Sequence, residues 1–244
     1  MPSPFQTAIV IGASSGIGEG LVRKLASSGV KVAAVARRRS ELDRIAGECG
    51  PNVRAYAHDV RNFDEAPVLF DRICADLGSV DLFVYNSGVM PRVEEGEYNF
   101  TKDREIIEVN LLGAMAWLNP AAAYMESRRK GTLAGVSSVA GDRGRRGNPA
   151  YHTSKAALTT YLEALRNRVS RYGVEVVTIK PGPVATPMTV GLKLPLTIDV
   201  ERCTSEMMTA LEAGCGTTYV PAIWQPIMLT IQHVPSVIFR RTNI

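Results

Sequence analysis

Cysteine and histidine are scarce in this chain of 244 residues, which has four of the first and three of the second. Cys49, Cys74, Cys203 and Cys215 are scattered, with no CxxC pair and no histidines grouped beside them. That spacing excludes a disulfide framework and a zinc site, so reduced thiols and no metal are expected. Charge of one sign is lacking too. The net charge is only +4, and the basic residues do not gather with interleaved aromatics, which argues against nucleic acid. Nowhere is there an uninterrupted apolar run of about 20 residues, the length a membrane span needs. The start, Met1-Pro2-Ser3-Pro4-Phe5, has no basic region and no long apolar stretch. No signal peptide is expected, and the default compartment is cytoplasmic.

What is present is the composition of a globular chain, 45% hydrophobic and 21% charged, at a length that suits one large α/β domain. Strand and helix signals alternate along it, the mark of a doubly wound parallel sheet of about seven strands with helices on both faces. Short β-rich runs are expected at Thr7 to Ile11, Val30 to Ala36, Val53 to Ala57 and Val80 to Tyr85. Three more are expected at Gly131 to Ser137, Val174 to Ile179 and Thr217 to Val220. Between them lie helical patterns, including a long one around Asn110 and another from Pro149 to Tyr172. Neither a repeat nor a linker interrupts residues 1–221. Residues 222–244 read as an apolar tail.

The first strand runs into Gly12-Ala13-Ser14-Ser15-Gly16-Ile17-Gly18, which opens a helix. Glycines in that context let the backbone turn tightly and approach a pyrophosphate, whose charge the helix N-terminus favours. The end of the second strand should meet the adenosine ribose. A carboxylate there would suit NAD and an arginine the 2′-phosphate of NADP. The chain has Ala36-Arg37-Arg38 and no acid at that point. NADP(H) is therefore favoured over NAD(H), with Arg37 the first candidate for the phosphate and Arg38 the second.

Ser138 precedes Tyr151 and Lys155, which are spaced as Tyr-x-x-x-Lys. On a helix both side chains project from one face, one turn apart. An ammonium beside a phenol is expected to lower the phenol pKa from about 10 toward the working range. The phenol could then exchange a proton near neutral pH, with Ser138 holding the substrate oxygen. With a hydride donor nearby, the set suits interconversion of carbonyls and alcohols.

These features together resemble the single-domain short-chain dehydrogenases/reductases, over about residues 5–220. The matching residues are Gly12 to Gly18, Asp59-Val60, Asn86-Ser87-Gly88, Asn110, Ser138, Tyr151, Lys155, Pro181-Gly182 and Thr186. The resemblance implies that Asp59 and Val60 flank the adenine, and that Asn86 and Gly88, with Ser87 between them, line the floor beneath ribose and nicotinamide. It implies that Asn110 bends its helix and holds a water relaying protons to Lys155, which also holds the ribose hydroxyls. Pro181, Gly182, Val184 and Thr186 would wrap the carboxamide. Ile11 and Ser87 depart from the usual threonine and alanine, and the strand Leu133-Ala134-Gly135-Val136 is weak in β-formers.

The substrate is less legible. Residues 187–197, from Pro187 through Lys193 to Thr197, are mostly apolar, fit for a lid over an apolar substrate or for a packed surface loop. Arg143, Arg145 and Arg146 could meet an anionic substrate or stand in solvent, the second being the expectation. The tail runs apolar from Ala222 to Phe239 and ends near Arg240-Arg241, with Pro226 and Pro235 against one continuous helix. Two short segments packed on the body or a neighbouring subunit are expected, with a membrane-interface role as the alternative. His233 there reads as structural. Leu158, Tyr161, Leu162 and Leu165 read as apolar surface beyond what one sheet contact covers, which with the resemblance implies a homodimer or homotetramer. The two function classes are an NADP-dependent oxidoreductase and a catalytically silent dinucleotide-binding sensor or scaffold.

Overall fold

The computed structural model describes residues 3–192, 194–214 and 216–242. Met1, Pro2, Lys193, Cys215, Asn243 and Ile244 lie outside the described residues. Seven strands form one parallel sheet: β1 (Thr7–Ile11), β2 (Lys31–Ala36), β3 (Val53–Ala57), β4 (Leu82–Tyr85), β5 (Gly131–Val136), β6 (Val174–Pro181) and β7 (Thr217–Val220). Their spatial order is β3-β2-β1-β4-β5-β6-β7. The expected strands are found, although Val30 and Val80 precede their strands rather than belonging to them.

Helices α1 (Gly16–Ser27), α2 (Arg39–Cys49), α3 (Glu65–Leu77), α4 (Phe100–Ile107), α5 (Gly113–Arg128), α6 (Pro149–Val169) and α7 (Val200–Ala213) cover the sheet. The alternation of β1 decides the layering. Ala8 and Val10 enter a core with Leu21, Leu25 and Met207 of α1 and α7, while Ile9 and Ile11 enter one with Phe70, Trp117 and Leu158 of α3, α5 and α6. Strands buried on both faces read as continuous apolar runs, which is why they were visible in the sequence. Burial pushes the thiols of Cys74 and Cys203 up to about 12, leaving them protonated.

One expectation is overturned. Leu158, Leu162 and Leu165 are not surplus surface but are buried within the chain, and Tyr161 donates to Asn119 Oδ1 at 2.5 Å. The reason is Gly135 in β5: a Cβ there would lie 2.5 Å from Leu162 Cδ1, so the leucine occupies the notch the glycine leaves. The weak β-propensity of that strand is the condition for seating α6.

Two further helices, α8 (Trp224–His233) and α9 (Ser236–Phe239), make up most of the tail, and Pro235 separates them. Trp224 and Met228 of α8 are buried against Val139, with Tyr219, Ile227 and Ile231 around them. His233 Nδ1 lies 2.8 Å from the Leu229 carbonyl, an intrahelical contact.

Candidate active site

Strand order reverses at β1, whose neighbours are β2 and β4, and a crevice opens there beyond the carboxyl ends of the strands. A cavity of about 160 Å³ occupies it, lined by Ser14, Ser15, Arg37, Arg38, Val60 and Gly88 among others. Gly12 has φ of 84°, and a Cβ on it would lie 2.6 Å from the Ser87 nitrogen. At Gly18 a Cβ would lie 2.1 Å from the Gly12 carbonyl oxygen. No side chain fits at either position. Asn86 locks the turn by donating to that carbonyl at 3.2 Å. Ile17, in the first turn of α1, packs against the core.

Ser15 precedes α1 without capping it, because its Oγ accepts from Arg38 Nη2 at 2.7 Å. The first amides of α1 are thus left uncapped, as a phosphate would need them. Arg38 also donates to Ser14 Oγ from Nη2 at 2.9 Å. Arg37 lines the cavity but is half exposed, with Nη1 3.8 Å from Asp59 Oδ2. The structure thus gives Arg38 the more central position of the two. Val60 walls the cavity, whereas Asp59 turns to Arg61 at 2.7 Å and Arg37. Arg61 and Arg37 together hold the Asp59 carboxyl below its usual range, the bond from Arg61 being the main cause. A glycine cradle, uncapped helix amides and an arginine–serine cluster fit a dinucleotide.

Ser138 follows β5 and caps a short turn over Val139–Gly141, its Oγ accepting from the Ala140 amide at 3.1 Å. Tyr151 stands in the first turn of α6, where Asn148 Oδ1 accepts its amide at 3.2 Å. Asn148 itself takes φ of 50°, a left-handed conformation asparagine tolerates. One turn on, Lys155 is 4% exposed and donates from Nζ to the Val136 carbonyl at 2.9 Å.

The expected lowering of the Tyr151 phenol is not what this geometry produces. Burial raises it above its ordinary value, and a hydrogen bond with Ser138 pulls it partway back. Burial likewise lowers the Lys155 ammonium to about 8. The ammonium is directed at a carbonyl rather than the phenol oxygen, so desolvation dominates both groups.

Asn110 lies fully buried in a π turn, Glu108–Leu112, between α4 and α5. Tyr85 Oη donates to the Val109 carbonyl of this turn at 2.6 Å. The Asn110 amide grips the loop after β4 in both senses, accepting from the Val89 amide at 2.7 Å and donating to its carbonyl at 3.1 Å. A Cβ on Gly88 would lie 3.5 Å from both Asn110 Oδ1 and Lys155 Nζ, so the two groups flank that glycine.

The end of β6 closes the site. Ser138 Oγ comes within 3.5 Å of the Pro181 carbonyl. Gly182 lies under the Trp224 indole, whose Nε1 would be 2.0 Å from a Cβ there. Val184 forms a parallel bridge with Ile198. The Thr186 methyl packs over Gly16, 3.2 Å from where a Cβ would stand. Beyond it Met188, Val190, Leu192, Leu194 and Leu196 are exposed.

Several residues here escaped the sequence. Lys180 and Asp142 form an ion pair with side chains only 7% and 2% exposed, and Tyr219 donates to the same carboxylate at 2.9 Å. The loop arginines are not free in solvent, as expected, but hold the tail. Arg143 donates to the carbonyls of Gln232 and Val234 at 2.6 and 2.9 Å, and Arg146 to that of Arg240 at 2.8 Å. Arg145 leans on Met228 Sδ at 3.7 Å. No local pattern signals these partners, which are 38 to 94 residues apart.

Residues 6–195 match the family profile described as short chain dehydrogenase. The chain is 38% identical over 195 residues to an uncharacterized oxidoreductase of Myxococcus xanthus (strain DK1622), covering 79% of this chain and 77% of that protein. A short-chain type dehydrogenase/reductase from Mycobacterium ulcerans superposes with a TM-score of 0.83 at 24% identity, over 90% of each chain. The structure of ElxO with NADP bound superposes with a TM-score of 0.81 at 16% identity, covering 91% of this chain and 100% of that one. The chain belongs to the short-chain dehydrogenase/reductase family. It is accordingly an oxidoreductase of the dinucleotide-dependent kind.

Proposed function

We propose that this protein interconverts a ketone or aldehyde and the corresponding alcohol with NADP(H). The observation that carries the reading is the convergence of Ser138, Tyr151 and Lys155 beside the crevice of the glycine-rich turn. Bound NADP(H) supplies or takes the hydride. Tyr151 gives or accepts the proton at the substrate oxygen, and Ser138 holds that oxygen by a hydrogen bond. Lys155, one turn from the phenol, would hold the ribose hydroxyls of the bound cofactor. Asn110 keeps the loop after β4 in place. Pro181, Gly182, Val184 and Thr186 would hold the carboxamide end.

The preference for the 2′-phosphate is supported by Arg38 and Arg37 at the end of β2, with Ser14 and Ser15 facing Arg38. An apolar substrate is supported by the apolar segment after Thr186. Assembly as a homodimer or homotetramer belongs to the same reading. Turnover of a panel of carbonyl compounds with NADPH, measured beside cofactor binding, tests it. Tight NADPH binding with no turnover across the panel would favour a silent sensor or scaffold.

A further inference from the structure

The tail is held to the body by one side only. Trp224, Ile227, Met228 and Ile231 of α8 form the inward stripe, and the carbonyl bonds from Arg143 fix the join to α9. Ile223, Leu229, Val237 and Ile238 are left outside, each more than half exposed. With the five apolar residues of the segment after Thr186, they make up nine of the thirteen large hydrophobic side chains exposed among the described residues. Exposed apolar side chains scattered singly need no explanation, but this concentration in two segments does. The two segments follow β6 and β7, adjacent parallel strands, so both leave the sheet at the end that carries the crevice.

Charge is distributed just as unevenly. The chain holds 24 acidic residues, yet none falls between Thr186 and Thr197 or between Ala222 and Ile244. Arg240 and Arg241 are exposed at the end of α9, with no carboxylate within ion-pair distance among the described residues. Arg39, Arg44, Arg104 and Arg202 each pair with an acid, whereas Arg54, Arg72, Arg128, Arg129, Arg168 and Arg171 are exposed without an ion pair among the described residues. What marks Arg240 and Arg241 is therefore their place beside the exposed apolar side chains of α9.

We propose that this face docks peripherally on an anionic lipid bilayer, the tail and the segment after Thr186 inserting apolar side chains at headgroup level while Arg240 and Arg241 meet lipid phosphates. Two segments with aliphatic side chains and cations but no acid of their own are complementary to such a membrane, the nearby Glu95 being paired with Arg146. A second copy of the chain fits it poorly. In a two-fold contact the patch meets itself, and neither segment supplies a carboxylate for the arginines of the other copy. The docking shares the segment after Thr186 with the substrate reading above, but vesicle binding and turnover are measured separately, so either can fail without the other.

The test is co-sedimentation of the full chain with vesicles of phosphatidylglycerol and phosphatidylcholine, and with phosphatidylcholine alone. Binding is expected to the anionic vesicles, weaker to the neutral ones, and falling as salt rises. R240Q/R241Q should weaken it about thirtyfold, two cations each contributing about a factor of five. V237D/I238D should abolish it. All four side chains are exposed, so melting curves should stay at wild type and rule out unfolding. No binding to anionic vesicles, or binding that neither double variant alters, would overturn the proposal. So would a change of molecular mass on V237D/I238D without vesicle binding, which would assign the face to a second copy.

Discussion

The Lys155 ammonium nitrogen lies 5.8 Å from the centre of the Tyr151 ring, one helical turn away, while it donates a hydrogen bond to the Val136 carbonyl. The two groups therefore lie close without a direct bond, and burial is what moves each of them. Tyr151→Phe removes the transferable proton and almost nothing else. Turnover should fall by about 10²–10⁴-fold, while the dissociation constant for NADPH stays within a few-fold of wild type. Steady-state rates beside calorimetric titration check this, and near-normal turnover would remove Tyr151 from the mechanism.

Lys155 carries a cost to the fold. Its folded value of about 8 lies below the ordinary value of 10.5, so the folded state binds fewer protons between these limits. Its contribution is present above the unfolded value and is lost as pH falls through 8. Lys155→Met should thus inactivate the enzyme yet raise its stability at pH 7, by on the order of 3 kcal/mol, with the gain fading toward pH 10. Urea titrations of both proteins across that range decide it. A variant less stable than wild type at pH 7 would contradict the prediction.

NADPH should bind more tightly than NADH. Arg38→Ala should weaken NADPH by about ten- to a hundredfold, as loss of a charge-assisted contact does, and leave NADH little changed. Arg37→Ala should cost less, since this side chain is half exposed and shares Asp59. Equal dissociation constants for the two cofactors in the wild-type protein would show that neither arginine reads the phosphate.

The parts legible in the sequence were those written in local spacing. The glycine turn, the Tyr-x-x-x-Lys pair and the buried strands each declare themselves within a dozen residues, and the fold follows from their alternation. Burial was not legible. The spacing of Tyr151 and Lys155 gave their proximity but not the desolvation that moves both toward neutrality. Leu158, Leu162 and Leu165 looked like spare surface because helix periodicity cannot show which face meets the notch at Gly135. Arg143 and the tail were readable separately, but their bond exists only because the loop after β5 meets the segment after β7.

The Lys180–Asp142 pair is almost wholly buried and tied to Tyr219, joining the loop after β5 to β6 and β7. Removing one partner strands the other charge. Lys180→Met should lower stability by about 3–5 kcal/mol, whereas Lys180→Met with Asp142→Asn should recover much of that loss. Chemical denaturation of the two variants checks the difference, and additive losses would show that the charges do not depend on one another.

Arg143 sits five residues beyond Ser138, and its guanidinium grips the chain between α8 and α9. The loop that carries Ser138 and the join between α8 and α9 are therefore fastened to one another. Cutting away the tail would at the same stroke release that loop, because Arg143 would lose both of its carbonyl partners.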